Sequence, residues 1–462
     1  MLLENISVVD AGAKGFCIGK MEDGKVILVK NAVPGDVGKV QITKKRRKHV
    51  EGVMVEWETV SPDRIEAKCK HFGVCGGCKW QQMNYDAQLK YKQNEVANNL
   101  RKIANLASPE ILPIIGSQKT YHYRNKMEFA FSANRWLSQE EIESEQEIQN
   151  KNALGLHIPG MWNKVLDLNE CFLQENPSEQ IRMAIKNYAN ENGLSFYDLY
   201  QKKGFLRSLL IRTSSTGEVM VLFQLGENNK QKIESILSFT KNMFPQISSL
   251  LYTINTKEND TIYDLDIKTY FGKEYIVEKL EELQFKIGPK SFFQTNTQQA
   301  LVLYQKVKEF LGDEKESIVY DLYTGTGTIA QFISKNVKKV VGIESVSEAV
   351  EAAKMSAKEN EINNVSFYCG DMKEMLNEEF TAKHGFPNII VTDPPRDGMH
   401  PKVVKNILEI SPQKIIYVSC NSATQARDIA LMLEKYEITT IQPVDMFPQT
   451  DHVENIMVLE KK

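Results

Sequence analysis

The stretch Asp321–Ala330, DLYTGTGTIA, decides how the chain is read. An acid closes an apolar strand, Gly325 and Gly327 follow, and the chain then runs into a helix. Glycines at such a turn let the backbone pass close to a bound nucleotide. Around this turn, SIVYDLY, KKVVGIES, VSFYCGD, NIIVTDPP and KIIYVSC are apolar strands separated by helical stretches such as VSEAVEAAKMSAKENEI. That alternation predicts an α/β domain with a doubly wound, largely parallel, Rossmann-like sheet over residues 287–462. Glu344, ending the next strand, is placed to accept hydrogen bonds from ribose hydroxyls. With Ala330 in the third small-residue slot, the turn also satisfies a relaxed dinucleotide fingerprint, so NAD stays open as the ligand. Asp321 ahead of the glycines, Asp371 after the third strand and Asp393 after the fourth favour S-adenosylmethionine. Its ribose, adenine amine and positively charged amino-acid end suit successive acids, and it has no pyrophosphate.

Asp393-Pro394-Pro395-Arg396 ends the fourth strand. Amino-methylating relatives of such a fold follow D/N-P-P with an aromatic residue that stacks on the target. Here Arg396 takes that slot, which speaks against nitrogen methylation. The fifth strand ends at Cys420, on the carboxyl edge where open α/β sheets bind ligands. The helix start Asn421-Ser422-Ala423-Thr424 should favour its thiolate. Cys17 and Cys369 are read instead as small buried hydrophobes. Uracil supplies a reason for a nucleophile, because its carbon 5 is too weak to take a methyl group unaided. Thiolate addition at carbon 6 makes an enolate that attacks a sulfonium methyl, and a base must then remove the carbon 5 proton. Glu454 in FPQTDHVENIMVLE suits that base, with Asp451 and His452 as substitutes.

At 462 residues the chain predicts two or three domains, and 42% hydrophobic with 25% charged residues is the composition of a soluble protein. The amino terminus has no basic region followed by a long apolar run, and no membrane-spanning stretch appears, so a cytoplasmic protein is expected. Residues 1–132 hold 21 Lys and Arg against 14 Asp and Glu, whereas the remainder holds 36 against 46. A basic front end fits a polyanionic partner. Residues 1–58 alternate apolar positions around glycines and the Pro34-Gly35-Asp36 turn, as a small barrel does, with the cations Lys44 to Lys48 projecting as a basic loop or edge. Residues 59–286 mix a cysteine cluster, a helix over Ala87–Ile103, strands and hairpins, and a glutamate-rich surface insertion at 138–152. Seven cysteines are too few and too unevenly spread for a disulfide scaffold.

These motifs together resemble the bacterial RNA 5-methyluridine methyltransferases, specifically the branch acting on 23S ribosomal RNA with a TRAM barrel and an iron–sulfur cluster. SFFQTN, DLYTGTGT, DPPR, VSCN and FPQTDHVE occur in order, with AGAKGFCIGK and NAVPGDV in the barrel. The resemblance implies an OB-like TRAM β-barrel at 1–58, an α+β central domain at 59–286 and a catalytic domain at 287–462. It implies that Gln294, Tyr323, Glu344 and Asp393 contact adenosylmethionine, with Thr328 where the family often has asparagine and Asp371 after the third strand. Cys420 would be the nucleophile and Glu454 the base. Cys69, Cys75 and Cys78, spaced C-x5-C-x2-C, with Cys171 as a fourth, suit zinc or a [4Fe–4S] cluster equally by ligand count. The family resemblance selects [4Fe–4S], in a structural role or in shaping the RNA site. The target uracil should be flipped out and backed by an aromatic ring, for which Phe292 is the candidate. Loop RNA would meet the barrel through phosphates on Lys45, Arg46 and Arg47. A monomer is expected. Relatives acting on transfer RNA are expected to resemble only the catalytic part, without barrel or cluster. The alternatives are a tRNA 5-methyluridine methyltransferase, an NAD-dependent oxidoreductase fused to a barrel, or a non-catalytic RNA-binding assembly factor. The presence of both Cys420 and Glu454 argues against the last.

Overall fold

The computed structural model describes all residues except 22, 23, 48, 108, 109, 145–147 and 149. Lys48 of the basic run and part of the 138–152 insertion therefore lie outside the described residues. Glycine-punctuated alternation at the amino terminus closes a five-stranded barrel. Its strands are β1 (Leu2–Ala11), β2 (Cys17–Lys20), β3 (Val26–Lys30), β4 (Val37–Lys45) and β5 (Val50–Thr59), in the order β1-β2-β3-β5-β4. Ile6, Val8, Cys17, Ile27, Val29, Val40 and Met54 fill it. The turn at Gly35 has φ +99°, and the buried Asp36 carboxylate accepts from Val33 N (2.7 Å), Ser61 N (2.9 Å) and Arg64 Nη2 (2.5 Å). Exposed Lys44 and Lys45 end β4, and exposed Arg46 and Arg47 enter the turn to β5.

Two compact units form, and they cut across the three consecutive segments read from the sequence. One comprises Met1–Glu66, Trp80–Thr120 and Gln298–Lys462; the other comprises Ala67–Lys79 and Tyr121–Thr297. The reason lies in the helix Tyr85–Ile103, whose Val96 and Leu100 are fully buried in the same core as Tyr320, Ile343 and Tyr417 of the catalytic sheet.

In the second unit, β6 (Lys126–Ser132), β7 (Ala153–Ile158), β8 (Met161–Asp167), β9 (Leu206–Thr213), β10 (Val219–Leu225), β11 (Ile247–Ile254) and β12 (Ile267–Gly272) form one sheet. Its order is β12-β11-β10-β9-β6-β7-β8, antiparallel except between β10 and β11. A separate hairpin pairs β13 (Ile276–Leu280) with β14 (Leu283–Ile287). Within the insertion, Ser138 and Glu141 form a capping box on a short exposed helix, Gln139–Glu143, and Arg135 clasps Glu141 at 2.5 and 3.0 Å.

The predicted α/β alternation is present in the first unit. The strands β15 (Glu314–Leu322), β16 (Val337–Glu344), β17 (Val365–Cys369), β18 (Ile389–Thr392) and β19 (Lys414–Ser419) run parallel. β20 (Tyr436–Val444) and β21 (Glu454–Lys461) complete the order β17-β16-β15-β18-β19-β21-β20, with β21 antiparallel to both neighbours. Cys17 is buried as expected, but Cys369 is exposed: it ends the edge strand β17, with its thiol 3.7 Å from Ser345 O. No helix among the described residues is long and apolar enough to cross a membrane.

Candidate active site

Strand order brings the candidate residues to one edge. β15 and β18 are adjacent, so Asp321 and Asp393 leave the sheet near one another. β19 and β21 pair antiparallel with Ser419 opposite Asn455, which sets Cys420 beside Glu454. Antiparallel insertion of the last strand is what delivers a carboxylate to the cysteine's end of the sheet.

The loop between β20 and β21 is held from three directions. From the helix Tyr85–Ile103, Lys92 Nζ donates to Asp445 Oδ1 (2.6 Å) and Phe447 O (3.1 Å), with the Lys92–Asp445 pair fully buried. Gln88 Oε1 accepts from Gln449 N at 2.9 Å. From the barrel, Lys14 N donates to Asp451 Oδ2 at 2.5 Å, in a turn where Lys14 takes φ +61°. His452 accepts from Arg396 Nη2, 2.7 Å from Nδ1. The two substitute bases are thus engaged by other partners, and Glu454 is the carboxylate left facing the sulfur.

The nucleophile loop is tied to DPPR. Asn421 Nδ2 (3.0 Å) and Thr424 Oγ1 (3.1 Å) both donate to Arg396 O, while Asn421 caps the helix Ser422–Ala430 through Ala423 N. The Arg396 guanidinium also lies close enough to the Cys420 sulfur to oppose the rise of its thiol. Sequence reasoning missed this arginine's part. The signal was present in DPPR itself, where the slot was read only for its lack of an aromatic ring. Buried Tyr304 was also missed; it feels the charges of Asp393, Glu454 and Asp321, and its helical spacing resembles any core position.

Electrostatics correct one expectation. The helix start was to favour a thiolate, yet burial, then Glu454 and Asp393, push the Cys420 thiol up to about 11, with Arg396 opposing them. Removal from water beside two carboxylates outweighs one helix end, because desolvation penalises the charged form directly. Burial, reinforced by Asp393, likewise raises Glu454 to about 8, and burial with Asp321 raises Asp393 to about 7.

At the glycine loop, Asp321 is buried and raised to about 7, chiefly by burial. It accepts from Thr324 Oγ1 (2.5 Å) and Ala330 N (3.2 Å). Glu344 accepts from Gly325 N (3.1 Å), Ser345 N (2.7 Å) and Val346 N (3.0 Å). Gly325 and Gly327 have φ +56° and +74°; a Cβ at Gly325 would meet nothing within 4 Å, so the loop leaves room for a ligand there. Tyr323, at φ +61°, is a strained non-glycine in this loop, with a phenol raised to about 12 by burial. Buried Thr328 lies 3.3 Å, oxygen to oxygen, from Thr326. Asp371 is exposed; it caps Met372–Met375 through Lys373 N (2.9 Å) and pairs with Lys373 Nζ (3.0 Å). Buried acids with raised affinity for protons fit a cationic ligand such as adenosylmethionine.

Gln294 and Phe292 belong to the second unit. The Gln294 carbonyl accepts from Asn125 Nδ2 at 2.9 Å, and Phe292 is 72% exposed. Cys69, Cys75, Cys78 and Cys171 are in the same unit. Burial raises Cys69, Cys75 and Cys171; Cys171 feels both Cys75 and Cys69, and Tyr121 feels Cys78 and Cys69. Gly77 N points at Cys75 Sγ, 3.4 Å away. Among the described residues, no group of three or more His, Cys, Asp or Glu is arranged to hold a metal ion. Four thiols would suit zinc or an iron–sulfur cluster equally by ligand count.

A doubly wound sheet with a glycine loop, buried acids and a cysteine–carboxylate pair on its carboxyl edge, preceded by a small barrel, defines a nucleic-acid methyltransferase class. A family model described as tRNA (Uracil-5-)-methyltransferase matches residues 263–462, and a TRAM domain model matches residues 4–55. An RNA methyltransferase of Bacteroides thetaiotaomicron is 51% identical over 97% of this chain and 99% of its own length. One of Porphyromonas gingivalis is 46% identical over 98% and 99%. Among solved structures, the Pyrococcus abyssi tRNA (uracil-54, C5)-methyltransferase in complex with S-adenosyl-L-homocysteine matches with a TM-score of 0.75. It is 28% identical over 98% of this chain and all of that one. The chain belongs to the RNA uracil-5-methyltransferase family, in a form with an N-terminal TRAM domain, and is an S-adenosylmethionine-dependent RNA methyltransferase. That membership sets aside the NAD reading. The expectation that relatives acting on transfer RNA share only the catalytic part is overturned, because the Pyrococcus abyssi enzyme is matched over its whole length.

Proposed function

We propose that the chain methylates carbon 5 of a uridine in a loop of 23S ribosomal RNA through a covalent bond between Cys420 Sγ and uracil carbon 6. The observation that carries the mechanism is the pairing of β19 with β21, which sets Cys420 beside Glu454, together with Arg396 close to the sulfur. The Cys420 thiol must give its proton to solvent before adding, Arg396 stabilises the resulting thiolate, and the later elimination returns the sulfur as that thiolate. Bound adenosylmethionine supplies the methyl group. Glu454, as a carboxylate, takes the carbon 5 proton, and elimination breaks the bond from sulfur to carbon 6 and frees the enzyme. Asp393, Glu344, Tyr323 and Gln294 hold the cofactor, with Thr328 and Asp371 at its margins. Phe292 backs the flipped uracil, and Lys45, Arg46 and Arg47 meet phosphates. Cys69, Cys75, Cys78 and Cys171 hold a [4Fe–4S] cluster that supports the central fold. The protein acts as a cytoplasmic monomer.

The family resemblance carried by the sequence motifs favours the ribosomal reading; the full-length likeness to the Pyrococcus abyssi enzyme favours transfer RNA as the second. Mass mapping of 5-methyluridine in both RNAs from a strain lacking the gene separates them: a ribosomal site should vanish, and loss confined to transfer RNA would replace the first reading with the second.

The mechanism is tested on the same RNA. Cys420→Ala should bind RNA and cofactor yet neither methylate nor form an adduct. Glu454→Gln should transfer the methyl group and then stall as a covalent protein–RNA complex, visible on denaturing gels with labelled RNA. Methylation by Cys420→Ala would sink the nucleophile, and normal turnover by Glu454→Gln would move the base elsewhere.

A further inference from the structure

In the second unit, β8 and the turn Asp198–Lys203 present aromatic side chains that the methyl-transfer chemistry does not use. Trp162 is 67% exposed and Tyr200 62% exposed, although side chains of this size ordinarily bury most of their surface. Their ring centroids are 6.1 Å apart with planes at 53°, and Asn163 Nδ2 donates to the Tyr200 hydroxyl. The turn beneath Tyr200 is braced: Asp198 Oδ1 accepts from Tyr200 N (2.8 Å) and Gln201 N (3.0 Å), and Asp198 pairs with Lys203 across it. The aromatic surface is therefore set in place before any partner arrives. Beside it opens a cleft of about 540 Å³, lined among others by His157, Trp162, Tyr197, Lys202, Glu258 and Asp260. Its charges are paired, Lys202 with Glu258 at 2.5 Å and Arg207 with Asp260 at 2.6 Å, and the Arg207 guanidinium lies 4.2 Å from the Tyr197 ring centroid.

We infer that Trp162 and Tyr200 form a stacking platform for an unpaired base of the RNA substrate, other than the uracil that is methylated, with the cleft receiving that base. The inference rests on RNA being the substrate. Every base offers a π face, and an exposed indole is the largest surface the chain has to match it. Two carboxylates in the cleft disfavour a phosphate but accept hydrogen bonds from the amino groups of adenine, cytosine and guanine. Lys202, exposed beside the rings, can exchange its solvent-exposed pair with Glu258 for the flanking phosphate. A protein partner would want apolar surface around the rings, whereas their exposed neighbours Lys202, Lys203 and Glu258 are charged.

The test uses the full-length protein and two probes: a single-stranded oligoribonucleotide carrying one 2-aminopurine, and an abasic backbone of equal length. Trp162→Ala should weaken binding of the base-bearing probe about ten-fold, or ~1.4 kcal/mol, and reduce the change in 2-aminopurine fluorescence on binding. Trp162→Phe should restore both. Affinity for the abasic probe and for adenosylmethionine should not move, and in turnover KM should rise while kcat holds. The side chain's exposure means the variant should melt as the parent does. Equal affinity of parent, Trp162→Ala and Tyr200→Ala for the base-bearing probe would overturn the platform and leave the patch to a protein partner. A parent protein that binds neither probe would overturn the RNA reading along with it.

Discussion

Cys420 illustrates why residue type and position do not settle reactivity. Its place before a helix suggested a thiolate, but burial beside Glu454 and Asp393 keeps the sulfur protonated, and Arg396 is the group opposing them. Glu454 acts as a base only when ionised, and it is held at about 8, chiefly by burial. The sign follows: below that pH the carboxyl carries the proton it must lose, and its step comes after methyl transfer, so kcat should rise with pH from about 6 to about 9. Arg396→Ala removes the cation that lowers both groups, which should shift this limb to higher pH and cut kcat at neutral pH about ten-fold or more, the scale of a charge-assisted hydrogen bond. Arg396→Lys should retain more of the rate. Single-turnover rates across pH decide it, and an unshifted limb in Arg396→Ala would remove the arginine from the reaction.

Among the elements, the glycine loop after β15 shows two glycines required for different reasons. Both lie in the left-handed region, where a Cβ costs roughly 1–2 kcal/mol. At Gly327 that Cβ would also approach Phe367 Cζ to 2.6 Å and Ala353 Cβ to 3.0 Å, whereas at Gly325 it meets open space. Gly327→Ala should therefore lower the urea midpoint clearly more than Gly325→Ala, by about a further 1–3 kcal/mol of overpacking. Gly325→Ala should instead weaken adenosylmethionine binding, because its methyl projects where the nucleotide passes. Equal loss of stability in both, with cofactor affinity intact, would contradict this division. Legibility differed between elements too. The five parallel strands announced themselves as apolar runs, but which core the helix Tyr85–Ile103 enters was not legible, since Val96 and Leu100 look the same on a helix whichever core they enter.

For the whole molecule, the second unit is assembled from two separated stretches, Ala67–Lys79 and Tyr121–Thr297. The cysteines follow that partition: Cys69, Cys75 and Cys78 come from the first stretch and Cys171 from the second. A cluster bound by all four would staple the stretches together. Protein prepared without oxygen should accordingly be brown and carry about four irons per chain. Cys75→Ser should lose the iron and lower the melting temperature of the second unit. Stoichiometric zinc without iron in such a preparation would exclude the cluster.

The sequence by itself determined the class of the catalytic domain, because alternation of apolar strands with helices and a glycine turn bounded by acids are local patterns written in consecutive residues. It also singled out Cys420 and Glu454, since thiolate addition to uracil demands a sulfur and a base, and the motifs VSCN and FPQTDHVE offer them. Only the tertiary structure decided that β21 enters the sheet antiparallel beside β19, which turns two residues 34 positions apart in the chain into neighbours. It alone decided that Asp451 is taken by the barrel's Lys14 backbone and His452 by Arg396. The protonation of Cys420 was likewise beyond the sequence, because desolvation depends on what packs around a group in space and has no signature in the order of residues.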